Sequence, residues 1–147
     1  LLAVFNSSID AEAAFYAAFS NADIDAMAAI WMPGSDAICV HPGGPRLCGL
    51  DAIRQSWSLI LSDSMPRQFE LRGRLIIGSG DCRIHTLEEN ISVPGTEFVA
   101  PPVLATNIYQ KHRDGWLMVL HHASVSPESV ADTKDTDKPR HSSQVLH

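Results

Sequence analysis

Residues 103–125 read VLATNIYQKHRDGWLMVLHHASV: two strand-like runs hinged on Arg113-Asp114-Gly115. Asp-Gly between two such patterns is the strongest short hairpin signal, because the turn that matches strand twist needs positive φ. Upstream, QFELRGRLIIG (68–78) and CRIHTLEENISV (82–93) flank a Gly-Ser-Gly-Asp turn. A loop carrying Pro94, Gly95, Pro101 and Pro102 joins that pair to the hairpin. Four antiparallel strands in sequence are therefore predicted from Gln68 to Val125.

Ahead of the strands the texture is helical. A first helix is predicted from about Ser8, an N-cap candidate, with Asp10 and Glu12 in its opening turn. Phe15 and Phe19 lie one helical turn apart on it, and Asn21 ends it. A second helix is predicted from Asp23, with Met27, Ile30 and Trp31 on one stripe, until Pro33-Gly34 stops it. A third is predicted over about Leu50–Leu61, with Ile53, Trp57 and Ile60 facing one way. Between the last two, AICVHPGGP (37–45) is a short apolar strand that ends on His41 and breaks on Pro and Gly. Helices, a short strand, a helix and a four-strand meander together specify an α+β domain over residues 1–126. Residues 127–147 are polar and nearly free of apolar side chains, and read as a tail without a fold of its own.

Composition narrows the function classes. A formal charge of −6 with scattered Lys and Arg disfavours a phosphate backbone, so no nucleic acid is expected. No apolar run approaches the roughly 20 residues of a membrane span. LLAVFNSS at the start is short and lacks a basic region, so it is not read as a signal peptide, and the missing Met reads as a trimmed start. Three cysteines without a CxxC pair fit thiols in a reducing cytoplasm. GSG at 78–80 lacks the third glycine of a dinucleotide loop, and GGPRLCG at 43–49 lacks the Lys-Ser/Thr of a P-loop. His121 and His122 are adjacent on a strand and would point to opposite faces, so they do not converge on one ion. No metal or cofactor is expected.

FSNADIDAMAAIW, VHPGGPRLCGLDAIRQSW and ATNIYQKHRDGWLMVLHHAS together resemble the NTF2-like superfamily, over about residues 8–126. That group includes the SnoaL-like polyketide cyclases, the ketosteroid isomerases and the association domain of calcium/calmodulin-dependent kinase II. The resemblance implies a cone-shaped antiparallel sheet wrapped around three helices and enclosing an apolar cavity. It also implies a homodimer through the outer sheet face, which here would carry Leu117, Val119 and His121.

In the isomerases the general base is an aspartate before the proline that ends the short strand. His41 holds that place here, and an imidazole accepts a proton near neutral pH. The isomerase oxyanion hole pairs a tyrosine of the first helix with a protonated acid of the third meander strand. Without a gap the tyrosine position falls on Phe15; a one-residue gap gives Tyr16. The acid becomes Asn107, whose amide donates without any pKa shift. Strand alternation carries Tyr109 inward with Asn107, and Met118, Leu120, His122 and Ser124 inward on the last strand. Trp31, Ile53 and Trp57 would roof the cavity. Alternation leaves open whether Thr86, Glu88 and Asn90 or His85, Leu87 and Glu89 face inside.

Each candidate has a plainer reading. His41 could cap its turn, His122 could be a hydrogen-bonded core residue, and the aromatic residues could be ordinary core. Two functions follow from the resemblance. One is a cup for a small apolar, carbonyl-bearing molecule, with His41, Asn107 and His122 as the catalytic set if it is an enzyme. The other is a non-catalytic oligomerisation or peptide-binding module like the kinase association domain, which IYQKHRDGWLMVLHHAS resembles. The residues alone leave open whether there is catalysis.

Overall fold

A computed structural model describes residues 4–127; the stretch 128–147, and with it nearly all of the expected tail, lies outside the described residues. Helix α1 spans Ser8–Ser20 and is capped one residue earlier than expected, by Ser7, whose hydroxyl accepts from the Asp10 N–H. It closes at Asn21; Ala22 takes a φ of 52°, and Asp23 caps α2 by accepting from the Ala26 N–H.

Helix α2, Ile24–Ala28, is shorter than the sequence suggests. The apolar stripe through Ile30 and Trp31 is real, but the sheet takes over that backbone. The Met118 N–H donates to Ile30, and the Met32 N–H donates to the Met118 carbonyl. Trp31 thereby forms a parallel bridge instead of a last helical turn.

Strand β1, Ile38–Val40, turns back through Pro42–Pro45 into β2, Arg46–Cys48, a strand of three residues too short to show an alternation in the sequence. Helix α3, Leu50–Ile60, follows and tightens into a 3-10 turn at Leu61–Asp63. The remaining chain is β3 (Gln68–Ile77), β4 (Cys82–Ser92), β5 (Val103–His112) and β6 (Gly115–Val125). Their order in space is β2-β1-β6-β5-β4-β3, an open, curved sheet in which only β1 and β6 run parallel. The architecture is the expected α+β one, with two short strands in place of one.

Two irregularities decide which side chains point inside. The β3–β4 register shifts between Arg72 and Leu75, which turns Arg74 toward α1. The β5–β6 register shifts between Ile108 and Tyr109, whose partners are Leu120 and Met118, so Val119 is the extra residue of a bulge. Beyond the bulge the alternation inverts. Trp116 and Met118 are buried as a regular strand would have them, but then His121 and Ala123 turn in. The expected inward placement of Leu120, His122 and Ser124 is thus corrected: Leu120 is half-buried, and His122 and Ser124 are exposed. His121 correspondingly leaves the outer face.

The core lies between the sheet and the three helices. Phe15, Ile53, Trp57, Leu87, Tyr109 and Met118 are all nearly or fully inaccessible. Phe15 and Phe19 both meet Trp57 edge-to-face, at 5.6 and 4.8 Å between ring centres. Such pairs add about 0.5–1.5 kcal/mol each beyond the area they bury. They fix α1 and α3 against each other above the sheet.

Candidate functional site

Helix α1 carries Ser8, Glu12 and Tyr16 at intervals of four, one line along the helix, and all three are buried. Beneath them β4 turns His85 and Glu89 to bond α1, with Leu87 between them in the core, while Glu88 is buried on the opposite face. Strand β5 contributes Asn107 and Tyr109, and β6 contributes His121. Two polar clusters result, with Tyr109 between them.

The first cluster is a chain of three hydrogen bonds. The Asn107 amide Nδ2 donates to the Tyr16 hydroxyl at 3.0 Å, and that hydroxyl donates to Glu89 Oε2 at 2.6 Å. At the other end His121 Nδ1 lies 2.6 Å from Asn107 Oδ1. An amide oxygen only accepts, so Nδ1 carries the proton and the ring's lone pair is on Nε2. Burial, with the nearby charges of His41 and His122, holds His121 down to about 3, so it is neutral. Burial lifts Glu89 to about 7, the charge of Glu12 adding to the rise while the Tyr16 bond opposes it. Burial and then Glu89 push Tyr16 well above the usual phenol range, so it stays a donor.

His41 stands at the edge of this cluster, half-buried at the end of β1. Its ring packs edge-on against Trp57 at 4.8 Å and lies 6.4 Å from His121. Its Nε2 is 2.7 Å from Ser56 Oγ of α3 and 3.7 Å from Cys39 Sγ. Burial pushes Cys39 up to about 12, so it faces His41 as a thiol, and burial lowers His41 from its ordinary value.

The second cluster sits at the start of α1. His85 Nε2 is 2.9 Å from Ser8 Oγ, and His85 Nδ1 is 2.5 Å from Glu12 Oε2. The other Glu12 oxygen accepts from Arg74 at 2.7 Å. The Tyr109 ring packs at a tilt 4.8 Å from that of His85, and its buried hydroxyl has no hydrogen-bond partner among the described residues.

Of the residues anticipated from sequence, His41, Asn107, Tyr16, Phe15 and Trp57 come together around His121. Tyr16, not Phe15, pairs with Asn107; the Phe15 ring instead packs 5.1 Å from His121. His122 and Leu120 lie off this site because of the bulge. Met118 and Trp31 are core residues joined by the β6 bridge. Trp31 also lines a separate apolar hollow of about 330 Å³, with Met32, Leu50 and Trp116. Sequence reasoning left Glu89 in one of two open alternatives, and passed over Ser8, Glu12 and Ser56 as site residues and the inward role of His121. The spacing of Ser8, Glu12 and Tyr16 was the available signal: polar residues recurring every fourth place among alanines and phenylalanines. Among the described residues no three His, Cys, Asp or Glu side chains gather as a metal site, and no helix is long and apolar enough to cross a membrane.

The arrangement holds a half-buried imidazole beside a buried hydrogen-bonded chain that runs from His121 to Glu89. Known proteins place it further. A structure from Thiobacillus denitrificans, provisionally named a calcium/calmodulin-dependent protein kinase type II association domain, is 33% identical, with a TM-score of 0.79; the match covers 84% of this chain and 98% of that one. A structure from Streptomyces avermitilis, provisionally named a dehydratase of the NTF2-like family, is 31% identical, with a TM-score of 0.72, over 80% of this chain and 92% of that one. The F-box protein SKIP8 of Arabidopsis thaliana is 28% identical over 114 residues; these are 76% of this chain, which spans only 46% of that protein. The family model of the SnoaL-like domain matches residues 10–128. By that match and by its fold, the chain belongs to the SnoaL-like family of NTF2-like proteins.

Proposed function

We propose that the mouth of the cup binds a small apolar, carbonyl-bearing molecule and that His41 accepts a proton from it. The observation that carries this reading is the position of His41. It is a half-buried imidazole at the end of β1, flanked by Ser56 and Trp57 and backed by the buried chain from His121 to Glu89. Burial favours the unprotonated ring, the form a general base needs. Asn107 and Tyr16 donate to neighbours already present, so an oxyanion would compete for the second Asn107 N–H. The streptomycete relative's dehydratase name is consistent with proton transfer of this type. Three free thiols, one of them buried, fit a reducing compartment, the cytoplasm.

NMR titration with cyclic enones and aromatic aldehydes tests it. Saturable shifts at the Trp57 indole N–H and the His41 ring are expected, with any turnover lost in His41→Ala. No shift at either group from any compound, together with turnover unchanged in His41→Ala, would overturn the reading.

A second reading, assembly, is favoured by apolar exposure on the sheet. Leu75 and Ile77 of β3 are 59% and 61% exposed, and Leu104 of β5 is 37% exposed. Light scattering separates the cases. A dimer that falls apart in Ile77→Glu supports pairing through this face and leaves the cup available; a large ring favours an assembly module.

A further inference from the structure

Ser8, His85 and Glu12 are linked in the order and at the distances of a serine-histidine-carboxylate relay. Ser8 Oγ lies 2.9 Å from His85 Nε2, and His85 Nδ1 lies 2.5 Å from Glu12 Oε2. Arg74 orients the far carboxylate oxygen at 2.7 Å. We propose that this is a second site, distinct from the mouth at His41, in which Ser8 is a nucleophile toward small carboxylic esters.

Three features beyond the hydrogen bonds point the same way. Ser8 is the first residue of a 13-residue helix. The ladder of such a helix leaves its first N–H groups without intrahelical acceptors. Asp10 donates to the Ser7 hydroxyl and Ala11 to the Ser7 carbonyl, which leaves the N–H groups of Ser8 and Ile9 beside the nucleophile to meet a developing oxyanion. Secondly, the Tyr109 hydroxyl is buried beside His85 with no partner among the described residues. A buried donor left unsatisfied costs about 1–3 kcal/mol, and an ester oxygen bound beside His85 would give this one an acceptor. Thirdly, the cluster runs outward to the surface through Arg74, whose side chain is 46% exposed, while Ser8 itself is buried at 6%.

The step balances with water as the co-reactant. Ser8 Oγ attacks the ester carbonyl carbon while His85 Nε2 takes the hydroxyl proton. The carbon–oxygen bond to the alcohol breaks, and His85 returns that proton to the departing oxygen. Water then attacks the acyl-Ser8 ester, again giving a proton to His85. The carboxylic acid leaves, and Ser8 recovers its hydrogen.

A fluorophosphonate probe and p-nitrophenyl acetate, each applied to the full chain and followed by peptide mass spectrometry, test the proposal. An adduct on the Ser8 peptide is expected, absent in Ser8→Ala, about 100-fold slower in His85→Gln and retained in Ser62→Ala, an exposed serine outside both sites. Should these variants unfold, Ser8→Cys serves: its alkylation by iodoacetamide is expected to slow at least tenfold when His85→Gln is added. No adduct from either probe, an adduct on another serine that persists in Ser8→Ala, or alkylation indifferent to His85 would each overturn the proposal.

Discussion

Asn107 and His121 face each other across the β5–β6 pair, Oδ1 to Nδ1, at 2.6 Å, both fully or nearly inaccessible. The pairing fixes the histidine tautomer and spends one face of the amide, while the other face holds Tyr16. One side chain therefore satisfies two buried groups.

Removing it strands both. Asn107→Ala leaves the His121 N–H without its acceptor and takes a donor from Tyr16, at roughly 1–3 kcal/mol for each buried group left unpaired. The variant is expected to lose about 2–4 kcal/mol in urea denaturation. A loss under 1 kcal/mol would show that water or neighbours replace the amide.

Stability should respond to pH in two opposed ways. Glu89 titrates at about 7 in the fold against an ordinary 4.5, so the folded chain holds its proton more tightly. Stability from that group is present below pH 4.5 and is lost as pH rises through 7. His121 is depressed from 6.5 to about 3, so its contribution is present above pH 6.5 and is lost as pH falls toward 3. The two slopes cancel between about 4.5 and 6.5, where a flat maximum is expected. Glu89→Gln removes the alkaline decline, gaining about 2–3 kcal/mol at pH 8 relative to pH 5 when compared with the parent. Parallel pH profiles for the two proteins would refute the assignment.

Imidazole spectra give a direct check. Nitrogen-15 correlation spectra should show His121 as the neutral Nδ1–H form from pH 8 down to pH 4. His41 should titrate below its ordinary 6.5. A His121 ring that gains a proton near pH 6 would mean that the pocket is wetter than its geometry implies.

Gly115 opens β6 at a φ of 132°, and a Cβ there would sit 2.6 Å from the Phe5 carbonyl oxygen. That carbonyl accepts the Trp116 N–H. Gly115→Ala should release the segment before α1, lowering stability by about 2 kcal/mol and speeding proteolysis near Phe5. An unchanged cleavage rate would count against this attachment.

The sequence made the architecture legible because strand alternation, the Asp-Gly turn and the helix stripes are local signals. Asn107 stood out as an amide in mid-strand, and His41 as an imidazole at a strand end. What escaped was set by pairing rather than by residue type. Val119 gives no sign that it will bulge, yet the bulge decides that His121 rather than Leu120 lies opposite Asn107. Ile30 and Trp31 continue a helical stripe, yet β6 claims their backbone. Glu12 looked like a helix-opening acid, and only packing against β4 shows it bonded to His85.

The bulge at Val119 is what seats an imidazole opposite Asn107 at all. Pairing carried on from Tyr109 and Met118 without it would set Leu120 against Asn107 and His122 against Ala105. One extra residue in β6 thus exchanges an apolar side chain for a ring nitrogen at the buried amide.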